Sequence, residues 1–237
     1  MRFLAGLFAF AAALLPGAAL AQMQTVPDQA TGRAAPASPT DPQNILLLDL
    51  STGGRVTIWL RPDVAPKMVE RIRTLTRQHF YDGLTFHRVI DGFMAQGGDP
   101  KGDGTGGSTL PNVGAEFNYL PHVRGAVSAA RAEANDSANS QFFIVFQPKL
   151  ALDKKYTVFG RVIDGMQWVD AIERGEPPSN PSRILHAYVL ADGAPAYQPA
   201  PPAPAPTLAT PPTLPTGPTV AAPKPAPKAP ARRRARR

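Results

Sequence analysis

Downstream of Leu84 the chain contains only short runs rich in apolar and β-branched residues: "LTFHRVI" (84–90), "GFMAQGG" (92–98), "GAVSAA" (125–130), "SQFFIVF" (140–146) and "YTVFGRVI" (156–163). Glycine, proline or polar clusters cut off each one. Runs of this length suit strands of about four to eight residues and are too brief for helices of about ten or more. Upstream, "ILLLDL" and "RVTIWL" flank Ser51-Thr52-Gly53-Gly54, and Val56, Ile58 and Leu60 alternate with Arg55, Thr57 and Trp59, which predicts a β-hairpin. "APKMVERIRTLTRQHFY" predicts a helix, with Pro66 in its first turn and Met68, Val69, Ile72 and Leu75 on one face. A second short helix is expected in "GMQWVDAIERG", and "RILHAYVL" closes the domain as a strand. Many short strands with two helices predict a mainly β fold, an antiparallel sheet closed into a barrel, rather than alternating βαβ units.

The ends of the chain read differently. Residues 1–21 have a basic start at Arg2, an apolar run from Phe3 to Leu15, a Pro16-Gly17 break and Ala19-Leu20-Ala21, the pattern of a signal peptide cleaved after Ala21. The apolar run is shorter than the roughly 20 residues needed to span a bilayer. Residues 22–43 read as a flexible leader, 44–192 as the folded domain, and 193–237 as a disordered extension. Fourteen of the 28 prolines fall between Pro195 and Pro230, and the chain ends in "ARRRARR". The net charge of +7 belongs to this tail, since residues 200–237 hold seven basic side chains and no acid. With the tail set aside the domain is close to neutral, so no specific nucleic-acid partner is expected. The absence of cysteine excludes a disulfide scaffold, a thiolate metal cluster and a cysteine nucleophile.

The stretch "FHRVIDGFMAQGGDPKGDGTGG" (86–107) carries seven glycines and formally contains G-x-G-x-x-G at Gly102–Gly107. A dinucleotide fingerprint must open a helix, yet Pro111, Gly114 and Pro121 follow. A surface loop needing positive φ at several glycines is the expected alternative. Asp99 and Asp103 lack the spacing of a calcium loop and are expected to be solvated. His79, His87, His122 and His186 have neither metal-ligand spacing nor a nearby G-x-S-x-G serine.

What remains is one arginine, Arg88, followed at +5, +6 and +8 by Phe93, Met94 and Gln96. Together with "GTGG", "SQFFI" and "VFGRV" followed by "GM", in that order, this pattern resembles the cyclophilin family of peptidyl-prolyl isomerases over roughly residues 44–192. The resemblance implies a closed eight-stranded antiparallel β-barrel capped by two α-helices, with the active site on the outside of the barrel. It implies a catalytic role for Arg88 and a proline pocket formed by Phe93, Met94 and Phe143. Gln96 would be a hydrogen-bonding partner, Leu152 the pocket leucine, and Ala130 and Arg131 the positions that meet substrate backbone. Tyr156 stands where the family often has His, and Ala151 where it often has an aromatic residue before Leu-Asp. Loss of that aromatic implies weak binding of cyclosporin-type inhibitors. The segment "SAARAEANDSANSQFF" is about one residue longer than the common version.

No cofactor or metal is implied, because lowering the barrier to rotation about an X-Pro bond needs neither. The expected partners are proline-containing unfolded or partly folded polypeptides, met by a monomer in the periplasm of a Gram-negative bacterium. A periplasmic chaperone or peptide-binding adaptor with incidental catalysis is the alternative. The basic tail offers a contact to anionic surfaces, or serves simply as a solubilising extension.

Overall fold

The computed structural model describes residues 35–199. The expected signal segment, most of the leader and the tail beyond residue 199 lie outside the described residues.

The hairpin forms as the alternation predicts. β1 (Ile45–Leu50) pairs antiparallel with β2 (Gly54–Leu60). Val56, Ile58 and Leu60 are buried, while Arg55, Thr57 and Trp59 are only partly covered. β1 is buried on both faces, including Asp49, which lies opposite Arg55 in the register. Arg55 donates from Nε and Nη2 to the two Asp49 carboxylate oxygens at 2.6 and 2.9 Å. A buried carboxylate is tolerated when paired in this bidentate way.

α1 (Pro66–Arg77) turns its Met68, Val69, Ile72 and Leu75 face into the core. Glu116 caps its start by accepting from the Lys67 and Met68 N–H groups at 3.0 and 2.9 Å. The short runs become β3 (Arg88–Ile90), β4 (Met94–Gly97), β5 (Ala126–Ala129), β6 (Phe142–Val145) and β7 (Val158–Asp164). The second helix, α2 (Met166–Asp170), is only five residues long, and β8 (Ile184–Val189) ends the sheet. Leu48, Leu50, Ile58, Leu60, Phe86, Ile144 and Phe159 fill the interior at 1% exposure or less. Each such side chain contributes about 1.5–3 kcal/mol through its removal from water.

All eight strands join one antiparallel sheet in the order β3-β4-β6-β5-β7-β2-β1-β8. The sheet curls into a half-barrel and does not close, which corrects the expectation of a closed barrel. Two features keep β3 and β8 from forming a ladder. The chain ahead of β3, not β3 itself, meets the β8 side, through the isolated bridge Thr85 to Arg183 and three backbone bonds among Gly83, Leu84, Phe86, Ser182 and Ile184, with Gly83 at φ 79° turning the chain. β3 itself is only three residues long, and its free edge is taken by Gly175, which exchanges two backbone bonds with Val89 at 2.8 and 2.9 Å.

Beyond β4, Gly98, Gly102 and Gly104 adopt the positive φ values expected of the glycine loop, 84°, 70° and 87°. Asp99 organises this loop instead of being solvated. It is 1% exposed and accepts from the N–H groups of Lys101, Asp103 and Gly104. A side chain at Gly98 would also meet the Ser140 carbonyl oxygen at 2.5 Å. Gly98→Ala is therefore expected to destabilise the domain by about 2 kcal/mol or more. The check is a lowered urea midpoint at unchanged slope.

Candidate active site

Strand alternation divides the apolar residues of β3 to β6 between two faces. Val89, Ala95, Val127, Phe142 and Ile144 point into the main core, whereas Met94, Ala126, Phe143 and Val145 form a second cluster on the other face. Both faces of these strands are therefore apolar, which is why "SQFFIVF" shows no alternation in its sequence.

The register places Arg88 opposite Gln96, Gln96 opposite Phe143, and Phe143 opposite Ser128, so one row crosses four strands. Around it lies a cavity of about 230 Å³ lined by the nine positions named from the sequence. Arg88, Gln96 and Arg131 supply its polar rim. Phe93, Met94, Ala130, Phe143, Leu152 and Tyr156 supply the apolar floor and walls.

The floor is held from behind. Phe143 packs against Phe93 and Tyr156 with ring centroids 6.4 and 5.9 Å apart, and stacks on His122 at 6.1 Å. His122 is fully buried, with Nδ1 2.8 Å from Asp153 and Nε2 3.1 Å from the Ser128 hydroxyl. Burial works against ionisation of Asp153, but the bonds from the His122 amide and ring outweigh it and hold the carboxyl below its usual range.

The polar rim is fixed as well. Arg131 lies over the Tyr156 ring at 4.6 Å and donates to the carbonyls of Ala132, Glu133 and Lys155. Its Nη1 and Nη2 groups are thus committed to building the wall, while Nε has no hydrogen-bond partner among the described residues. Gln96 Nε2 donates to Gln141 Oε1 at 2.8 Å, and Gln141 Nε2 donates to the Gly104 and Gly106 carbonyls. The glycine loop is joined to the site through this relay. A second hollow of about 310 Å³, between the loop and Asn139, shares Gln96, Ala130 and Arg131 with the first. Arg88 donates from Nε to Glu176 Oε2 at 2.7 Å.

Sequence reasoning passed over Gln141, His122 and Glu176. Gln141 lies within the quoted "SQFFI" and could have been named. His122 and Glu176 come from segments with no local signal of their own. Ala151 is exposed, sits in a 3-10 turn (Leu150–Leu152) beside the pocket, and does not line the cavity.

The fold and the site together define an open apolar pocket with a guanidinium on its rim, built on the outer face of a curled antiparallel sheet. Residues 47–189 match the family model described as cyclophilin type peptidyl-prolyl cis-trans isomerase/CLD, and the chain belongs to this family. A Brucella suis protein named as a peptidyl-prolyl cis-trans isomerase is 45% identical over 177 residues, covering 68% of this chain and 90% of the relative. Peptidyl-prolyl cis-trans isomerase B of Bacillus subtilis is 42% identical over 128 residues, covering 54% and 89%. The crystal structure of cyclophilin AquaCyp293 from Hirschia baltica superposes with a TM-score of 0.60 at 30% identity, covering 65% of this chain and 77% of that one. The chain is accordingly an isomerase of X-Pro peptide bonds.

His87, next to Arg88, lies beneath the glycine loop. It is 5% exposed, and neither ring nitrogen has a hydrogen-bond partner among the described residues. Burial pushes its pKa down; Asp99 and Asp103 pull it up, and Arg88 adds to the lowering. The neutral ring is thus favoured in the fold, while the unfolded chain takes up a proton below about pH 6.5. Stability from this group is complete above that pH and is lost as the pH falls toward the depressed folded value. His87→Phe is expected to flatten this part of the acid limb. Urea denaturation of both proteins at several pH values between about 7.5 and 5 checks it, the mutant gaining relative to wild type as the pH falls.

Proposed function

We propose that Arg88 is the catalytic donor and that the surrounding apolar pocket holds the proline ring of an X-Pro substrate. The placement of the Arg88 guanidinium at the rim of an apolar cavity of about 230 Å³, opposite Gln96 in the strand register, carries this reading.

The chemistry follows from the bond itself. Delocalisation of the prolyl nitrogen lone pair into the carbonyl gives a rotational barrier of roughly 18–20 kcal/mol and exchange times of tens to hundreds of seconds. In the twisted transition state the nitrogen becomes pyramidal and regains its lone pair. A donor fixed beside it then stabilises that state more than the planar ground state. A guanidinium suits the task because it stays charged and carries several N–H donors in one plane. Phe93, Met94, Phe143 and Leu152 grip the ring while the flanking chain rotates, and the backbone of Ala130 and Arg131 aligns it. The adjoining hollow has room for another side chain of the same peptide. Catalysis by this route uses no nucleophile, metal or cofactor.

A structural neighbour from Cryptosporidium parvum, 26% identical with a TM-score of 0.58, was solved in the presence of the dipeptide Ala-Pro. That structure supports proline-containing polypeptides as the ligand class here. The signal-like first 21 residues support action on exported proteins in the periplasm, and the seven basic charges of the tail support contact with anionic surfaces.

A protease-coupled isomerisation assay tests the central assignment. Arg88→Ala is expected to lower the rate by about 10²–10³, the usual cost of losing one transition-state donor. An unchanged rate would remove Arg88 from the mechanism. Ala151→Trp is expected to strengthen binding of a cyclosporin-type inhibitor while leaving the fold intact, which titration of inhibition would show.

A further inference from the structure

We infer that Glu176 is a positioning residue for Arg88, holding the guanidinium so that its terminal nitrogens face the proline pocket. This rests on the assignment of Arg88 as the donor.

The arrangement begins with the unpaired edge of β3. Gly175 exchanges two backbone bonds with Val89, at 2.8 and 2.9 Å, and so brings its neighbour Glu176 alongside Arg88. The Glu176 carboxylate accepts the Arg88 Nε–H at 2.7 Å. A second pair ties the same segment down on the other side of Gly175, Arg174 Nε donating to Asp91 Oδ1 at 3.2 Å. Arg174 also lies over the Phe146 ring at 4.1 Å and donates to the Asp170 and Ile172 carbonyls. Glu176 is therefore presented from an anchored frame.

The geometry separates the two ends of the guanidinium. Its Nε edge is taken by Glu176, while Nη1 and Nη2 have no other partner among the described residues and Arg88 lines the cavity. Glu176 itself does not line the cavity, so its influence on a bound proline must pass through Arg88. Without the carboxylate, a long side chain starting from a half-exposed strand position would spread over several rotamers, few of them aimed at the prolyl nitrogen. The side chains of Arg88 and Glu176 are 45% and 50% exposed, so solvent screening keeps the effect modest.

A double-mutant cycle on the purified protein, read by the isomerase assay and by thermal unfolding, tests the inference. Glu176→Ala is expected to lower kcat about two- to fivefold, with KM and the unfolding temperature unchanged. Glu176→Gln, which still accepts a hydrogen bond, is expected to recover part of that loss. In an Arg88→Ala background the Glu176→Ala change should be silent. Undiminished or increased activity in Glu176→Ala, with Arg88→Ala slow, would overturn this inference and leave the Arg88 reading standing. An equal loss in both backgrounds would overturn it too, since Glu176 would then act by another route. Full activity in Arg88→Ala would overturn both readings.

Discussion

The pairing register of β3, β4, β6 and β5 is the constraint on which the site depends. Because successive side chains on a strand point to opposite faces, a slip of one residue would exchange the two sets completely. The row Arg88, Gln96, Phe143, Ser128 would turn inward, carrying a guanidinium and an amide into the main core, and Val89, Ala95 and Ile144 would take their places on the pocket face. Burial of the main core therefore enforces the assembly of the site, although none of the site's side chains belongs to that core. The stability of the interior and the geometry of the outer pocket are two consequences of one alignment.

Around that row the side chains are held by bonds that leave few ways to rearrange. His122 supports Phe143 from below, Arg131 is bound to three carbonyls, and Gln141 ties Gln96 to the glycine loop. Preorganisation of this kind matters where a reaction offers no covalent step to exploit. A factor of about 10²–10³ from one donor corresponds to roughly 3–4 kcal/mol, a small part of the rotational barrier. Any further lowering of that barrier has to come from gripping the ring and orienting the chain, which a loose pocket would do poorly.

Much of this was legible from the residues alone. The hairpin and α1 announced themselves through period-two and helical spacing, and the nine pocket positions lie together as the spaced motifs implied. Closure of the sheet was not legible, because it turns on whether the short edge of β3 meets β8 or Gly175, and no local pattern records that choice. Asp99 looked like any loop acid; its burial depends on three backbone N–H groups that only the folded loop brings together. Glu176 stands 88 positions from Arg88 in the chain, and only the Gly175 bridge makes them neighbours. Single-sequence reasoning finds what repeats locally or matches a spaced motif, and misses long-range polar contacts.

The site's location on the outer face of the sheet has a topological meaning. Among the described residues the pocket opens directly onto the surface and adjoins a second hollow along it. A polypeptide can lie across it sideways, touching down at an internal proline with both flanks running off into solvent. No free end has to be threaded, so a proline in a loop whose two ends are already fixed is as approachable as one in an open strand of chain.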